Sequence, residues 1–145
     1  MPGSDQGFAH PSAVLERFQQ SAIDKDLTSM VDLYSEDAIH EFPFTRPGLP
    51  SRLEGREQIR AFMQANWLMS PLRYVAYRNV VVHETADPEV IVVEQTAAGT
   101  SAATGREFAL PNIVVLRVRG GQIVRIRDYV NGLAAAEAAG RQLSS

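Results

Sequence analysis

Residues 112–130 read Asn112-Ile113-Val114-Val115-Leu116-Arg117-Val118-Arg119-Gly120-Gly121-Gln122-Ile123-Val124-Arg125-Ile126-Arg127-Asp128-Tyr129-Val130. Two runs alternate between apolar and polar with a period of two, and Gly120-Gly121 between them supplies the positive φ angles that a two-residue hairpin turn needs. Alternation sends Asn112, Val114, Leu116 and Val118 to one face, with Val124, Ile126, Asp128 and Val130 of the second strand. Arg117, Arg119, Arg125, Arg127 and Tyr129 take the other face. Asp128 is therefore a carboxylate on the apolar side, where an unpaired charge is costly. It must be paired, raised in pKa, or set at the wet mouth of a cavity.

Working outward, the same period runs back to about residue 72, giving four strands near 73–84, 89–98, 105–119 and 122–131, with breaks at Asp87-Pro88 and from Gly99 to Gly105. Upstream the period is helical. Pro11-Ser12 opens a helix with Ser12 as N-cap and Val14, Leu15, Phe18 and Ala22 on one face. Asp26 caps a second helix carrying Leu27, Met30, Val31 and Tyr34. Ala38 to Phe44 reads as a short strand closed by Pro43, and Thr45 to Leu53 as a loop. Gly55 starts a third helix whose Ile59, Phe62, Met63, Asn66 and Trp67 share a face. The alanine-rich stretch from Gly132 to Ala139 reads as a short final helix. Helices followed by hairpin-joined strands predict an α+β fold, one curved antiparallel sheet packed on three helices. Residues 1–10 are expected to be a disordered tail and residues 11–145 a single domain.

The chain has 145 residues, 45% of them hydrophobic, and no cysteine. That length can bury a core, and the missing thiols exclude disulfides, Cys-ligated zinc and thiol catalysis. The net charge of −3 opposes general nucleic-acid or anionic-membrane binding. The longest apolar runs, such as Val80 to Val82 and Val90 to Val93, are too short to span a bilayer. The first ten residues, MPGSDQGFAH, hold no Lys or Arg and lead into no apolar stretch, so no secretory leader is expected and the cytoplasm is the expected location. The outward arginines fit the solvent face of a sheet or a subunit interface.

His40 is the only histidine within an apolar strand, in Ala38-Ile39-His40-Glu41-Phe42-Pro43-Phe44. Alternation puts His40 and Phe42 on one face, so a cavity lined by Phe42 also sees His40. A His–Asp pair is an acid/base unit in which the carboxylate sets the imidazole tautomer, which makes His40 the candidate partner of Asp128. His10 and His83 are expected in solvent. No HxH, HExxH or carboxylate cluster at ligand spacing occurs, and neither GxSxG nor GxxxxGK[ST] is present, so no metal or cofactor is expected. Trp67, Tyr74, Tyr77 and the phenylalanines suit either a ring-shaped ligand or the core.

Five segments together resemble a known family: Val14 to Phe18, Lys25-Asp26-Leu27, Leu33 to Ala38, Leu53 to Ile59, and Gly121 to Val124 with Arg127-Asp128-Tyr129. Over residues 12–133 the chain is similar to the NTF2-like superfamily, in particular its SnoaL-like and ketosteroid-isomerase-like members. The resemblance implies a cone, with a curved antiparallel sheet closed by helices around a deep pocket, and a homodimer formed through the sheet's outer face.

The same resemblance is informative where residues depart from it. The tyrosine, base and second aspartate positions of ketosteroid isomerase fall at Phe18, Phe42 and Val114, so that triad is absent. The limonene-epoxide-hydrolase relay keeps only its final aspartate, at Asp128, with Gln95 and Ala97 at the other two positions. The phenazine-biosynthesis condensation proteins resemble the sheet through Tyr77 to Val80, Glu84 to Pro88 and Arg127 to Asn131, with their acid at Asp128 and Phe62 in place of a helix histidine. The implied function is cofactor-free acid/base chemistry, of isomerase, cyclase or dehydratase type, on a small apolar or aromatic carbonyl compound. Asp128 is the expected acid or base, with His40 or Asn112 assisting, and Phe18, Tyr34, Phe42, Phe62, Trp67, Asn112 and Val114 are the expected pocket walls. A ligand-binding or dimer-forming module without catalysis is the alternative, and a purely structural protein the third.

Overall fold

The computed structural model describes residues 10–45 and 47–141. Helices α1 (Pro11–Asp24) and α2 (Leu27–Val31) lead into strands β1 (Tyr34–Glu41) and β2 (Arg52–Glu54). Helix α3 (Arg56–Phe62) continues as a π-helical stretch (Met63–Leu68), and strands β3 (Leu72–Glu84), β4 (Val90–Ser101), β5 (Glu107–Arg119) and β6 (Gln122–Tyr129) precede α4 (Gly132–Ala138). The six strands form one sheet in the order β2-β1-β6-β5-β4-β3. The fold is α+β, and its helical side buries Val14, Leu15, Ile59 and Met63 against Ile91, Val93, Leu116 and Ile126 of the sheet.

Local chemistry explains most boundaries. Asp26 caps α2 by accepting from the Ser29 amide at 3.1 Å. Gly120 and Gly121, at φ +59° and +76°, make the β5–β6 turn. The N-cap of α1 is His10 rather than Ser12: its Nδ1 accepts from the Ser12 amide at 3.1 Å, with Pro11 in the first turn where no amide donor is required. His10 thus belongs to the folded region, while the remainder of the expected tail lies outside the described residues.

Several expectations yield to tertiary pairing. Tyr34 opens β1 instead of completing the α2 face, because it pairs with Ile123 of β6 and is wholly buried. β1 consequently starts four residues before the expected strand, and Phe42 lies just past its end. The segment read as a loop up to Leu53 closes in β2, where Leu53 pairs with His40. β1 runs parallel to β6, so the sheet is mixed; every other pair is antiparallel. No hairpin joins β1 to β6, so no turn dictates their direction. The alanine-rich tail does form α4, a fourth helix, capped by Asn131 accepting from the Ala134 amide.

Two irregularities shift side chains. Arg117 pairs with Arg125 but Val118 with Ile123, so Val124 is the extra residue of a bulge and Ile123 takes the core position expected for Val124. In the π-helical stretch the wider turn rotates Asn66 into solvent, where its amide donates to the Phe62 carbonyl, while Trp67 stays on the inner side.

Candidate functional site

Between the helices and the inner face of the sheet lies a cavity of about 200 Å³. α1 contributes Leu15 and Phe18, the α3 region Phe62, Met63 and Trp67, and the sheet Val114, Leu116 and Ile126. Most of the polar groups on its wall come from the strands, His40 and Asp128 at the β1–β6 seam, Asn112 on β5, Gln95 on β4, and Tyr74 and Tyr77 on β3, and Asn131, the cap of α4, adds one more.

The seam carries a linked chain of polar groups. Tyr34 Oη lies 3.0 Å from His40 Nδ1, His40 Nε2 lies 3.5 Å from Asp128 Oδ2, and Asn112 Nδ2 donates to Asp128 Oδ1 at 3.2 Å. His40 Nε2 is buried, and 3.5 Å exceeds an ordinary N–H···O hydrogen bond, so its contact with Asp128 is electrostatic. Asp128 itself, with 24% of its side chain exposed, reaches the cavity.

Burial pushes the Tyr34 phenol well above its ordinary pKa, and the Asp128 charge adds to this, so Tyr34 keeps its proton. Among the described residues its hydroxyl has one hydrogen-bond partner, His40 Nδ1, and the assignment that uses the phenol proton has Tyr34 donating its O–H to that nitrogen. In neutral His40 the ring proton then sits on Nε2, facing Asp128. The Arg56 guanidinium, donating to the Tyr34 carbonyl at 2.7 and 2.9 Å, pins the start of β1 that carries this arrangement.

The residues expected at the site mostly converge. Asp128, His40 and Asn112 come together, and Phe18, Phe42, Phe62, Trp67 and Val114 all line the cavity. Tyr34 does not: it stands behind His40, fully buried, because it pairs in β1 instead of ending a helix. Phe18, Phe42 and Val114 put apolar surface where the ketosteroid-isomerase resemblance would require polar groups.

Sequence reasoning did not separate Tyr74, Tyr77 and Gln95 from the core. Alternation sends residues 74 and 77 to opposite faces, yet Tyr74 pairs with Gly99 and Ala76 with Ala98, so one extra residue in β3 brings both tyrosines inward and leaves Val75 outside. Gly99 makes this possible: a Cβ there would sit 1.9 Å from the Arg73 carbonyl oxygen. The glycine was the one available signal, since a glycine within a strand marks a bulge or a close backbone approach. Gln95 is buried and accepts from the Gln19 amide at 2.8 Å. Of the other histidines, His83 is half exposed and paired with Glu94 at 2.6 Å.

Residues 15–126 match the SnoaL-like domain family. An uncharacterized PhzA/B-like protein of Pseudomonas aeruginosa is 37% identical over 115 residues, 79% of each chain. The crystal structure of a candidate isomerase from Bacillus subtilis superposes with a TM-score of 0.84 at 29% identity, covering 96% of this chain and 99% of that one. A ketosteroid isomerase from Mycobacterium sp. shares the fold at a TM-score of 0.70 and 19% identity, covering 87% and 97%.

Proposed function

The chain belongs to the SnoaL-like domain family, and from that premise we propose that it is a cofactor-free acid/base enzyme acting on a small apolar or aromatic carbonyl compound. The observation that carries this reading is the Asp128 carboxylate at the wall of an apolar cavity, held by Asn112 on one oxygen and faced by His40 on the other. A carboxylate so held takes a proton from carbon next to the substrate carbonyl. The C–H bond breaks, an O–H bond forms on Asp128, and the electron pair moves to the carbonyl oxygen as an enolate. Return of the proton to another carbon isomerises the substrate, and its delivery to a leaving hydroxyl dehydrates it. Asn112 orients the carboxylate, and His40 presents Nε2–H to it.

The test needs no knowledge of the natural substrate. Phenylacetone fits a cavity of this size, since a cavity of about 150 Å³ already admits benzene. Exchange of its α-protons in D₂O, followed by NMR, reports the proton-abstraction step alone. Wild type is expected to accelerate the exchange and Asp128→Asn to lose at least about a hundredfold of that acceleration. Full exchange activity in Asp128→Asn would remove Asp128 from the chemistry. The competing reading, ligand binding without turnover, draws on the apolar Phe18, Phe42 and Val114; it expects no exchange in wild type and unchanged affinity in Asp128→Asn.

A second copy of this chain is the proposed partner. On the outer face, Val81, Glu94, Ile113 and Tyr129 stand in register across β3 to β6, and Phe44 packs edge-on against Tyr129. Phe44 is 65% and Ile113 44% exposed. This row, apolar except for Glu94, which pairs with His83, and flanked by the Glu41–Arg125 and Glu41–Arg127 ion pairs, suits a self-complementary contact.

A further inference from the structure

We propose that the Tyr74 and Tyr77 hydroxyls form a donor pair that receives the substrate's carbonyl oxygen; this rests on the acid/base reading of the same cavity. Both residues line the cavity with Asp128, and among the described residues neither phenol has a hydrogen-bond partner. A phenol facing an apolar cavity without a protein acceptor is a donor available to a ligand. The β3 bulge gives the pair its placement. Tyr74 pairs with Gly99 and Tyr77 with Ala97, and the extra residue between them puts two tyrosines three positions apart on one face, with ring centroids 6.1 Å apart. Phe108 holds the Tyr74 ring edge-on at 5.7 Å.

Electrostatics agrees with a donor role. Burial pushes the Tyr74 phenol up to about 12 and the Tyr77 phenol higher still, with the Asp128 charge adding to both and Tyr74 raising Tyr77 further. Both remain protonated at neutral pH. As negative charge passes from Asp128 to the substrate oxygen, two neutral donors in a mostly apolar cavity stabilise the enolate more than the ketone. The enlarged donor pair sits on β3, whereas the ketosteroid-isomerase tyrosine position on α1 holds Phe18. Specificity follows: a ligand needs an oxygen within reach of β3 and an acidic C–H within reach of Asp128, in a space that admits about one substituted ring.

Phenylacetone labelled with ¹³C at its carbonyl, compared with propylbenzene, separates the oxygen from the rest of the ligand. Bound to wild type, its carbonyl stretch is expected to shift to lower frequency in infrared difference spectra. Tyr74→Phe and Tyr77→Phe should each lose part of that shift and weaken phenylacetone binding about tenfold, while propylbenzene affinity stays unchanged. Unchanged propylbenzene affinity also shows that the variants have kept the folded cavity. Asp128→Asn should keep the shift while losing proton exchange. Equal shift and affinity in wild type and both tyrosine variants would overturn the donor pair and leave the acid/base reading standing. Loss of the shift in Asp128→Asn alone would overturn it by moving the oxygen to Asp128. Failure of wild type to bind either probe would overturn both readings together.

Discussion

Tyr34→Phe removes one oxygen and keeps the ring, so it isolates the bond to His40 Nδ1. His40 is only 3% exposed, and losing that partner leaves a buried ring nitrogen unsatisfied. The expected cost is about 1–3 kcal/mol, read from the urea midpoint. Nitrogen-15 NMR should show neutral His40 as the Nε2–H tautomer in wild type and as a mixture in Tyr34→Phe. An unchanged tautomer and midpoint would mean that the Asp128 contact alone orients the ring. Asp128 was legible at this scale because alternation along β6 is a local property. Tyr34 was not, because its burial comes from pairing with a strand almost ninety residues away.

Among the elements, the β3–β4 pair depends most on one residue. A Cβ at Gly99 would meet backbone, which cannot swing aside as a side chain can, so Gly99→Ala must open the bulge. We expect a loss of about 3 kcal/mol or more in denaturant melts, together with loss of ligand binding as Tyr74 and Tyr77 move. Retention of both would show that the bulge is not needed for the cavity. The turn between β3 and β4 is fastened to β5 by charge: Glu89 accepts from Arg119 at 2.9 Å on both oxygens and from Arg117 at 2.9 Å. The Arg119 hydrogen bonds, followed by those of Arg117, push the Glu89 carboxyl down to about 2 from an ordinary value of 4.5. Because the folded value lies below the unfolded one, this contribution to stability is present above about pH 4.5 and is lost as the pH falls toward 2. Glu89→Gln should therefore flatten the acid limb of the stability profile, and added salt should shrink the difference. Identical limbs for variant and wild type would show that the exposed cluster adds nothing measurable.

At the scale of the whole molecule, the sheet separates the cavity on its inner face from the row of Val81, Glu94, Ile113 and Tyr129 on its outer face. If the outer face joins two copies, analytical ultracentrifugation should give twice the protomer mass for wild type and the protomer mass for Ile113→Glu. Propylbenzene binding should persist in the variant, because the Ile113 side chain points away from the cavity. Monomeric wild type at high concentration would remove the interface. Among the described residues no helix is long and apolar enough to cross a membrane.

Sequence alone determined what depends on neighbours along the chain: the helical and strand periods, the Asp26 cap, the Gly120-Gly121 turn and the inward face of Asp128. These follow from backbone geometry and side-chain alternation over a few residues. Tertiary structure decided the parallel β1–β6 seam, the place of Tyr34 behind His40, the exchange of Val124 for Ile123 in the core, and the convergence of Tyr74 and Tyr77. Each of these depends on an extra residue or a pairing whose partner lies far along the chain. A bulge inverts the side-chain alternation beyond it, so the same local pattern serves either face until the neighbouring strand sets the register.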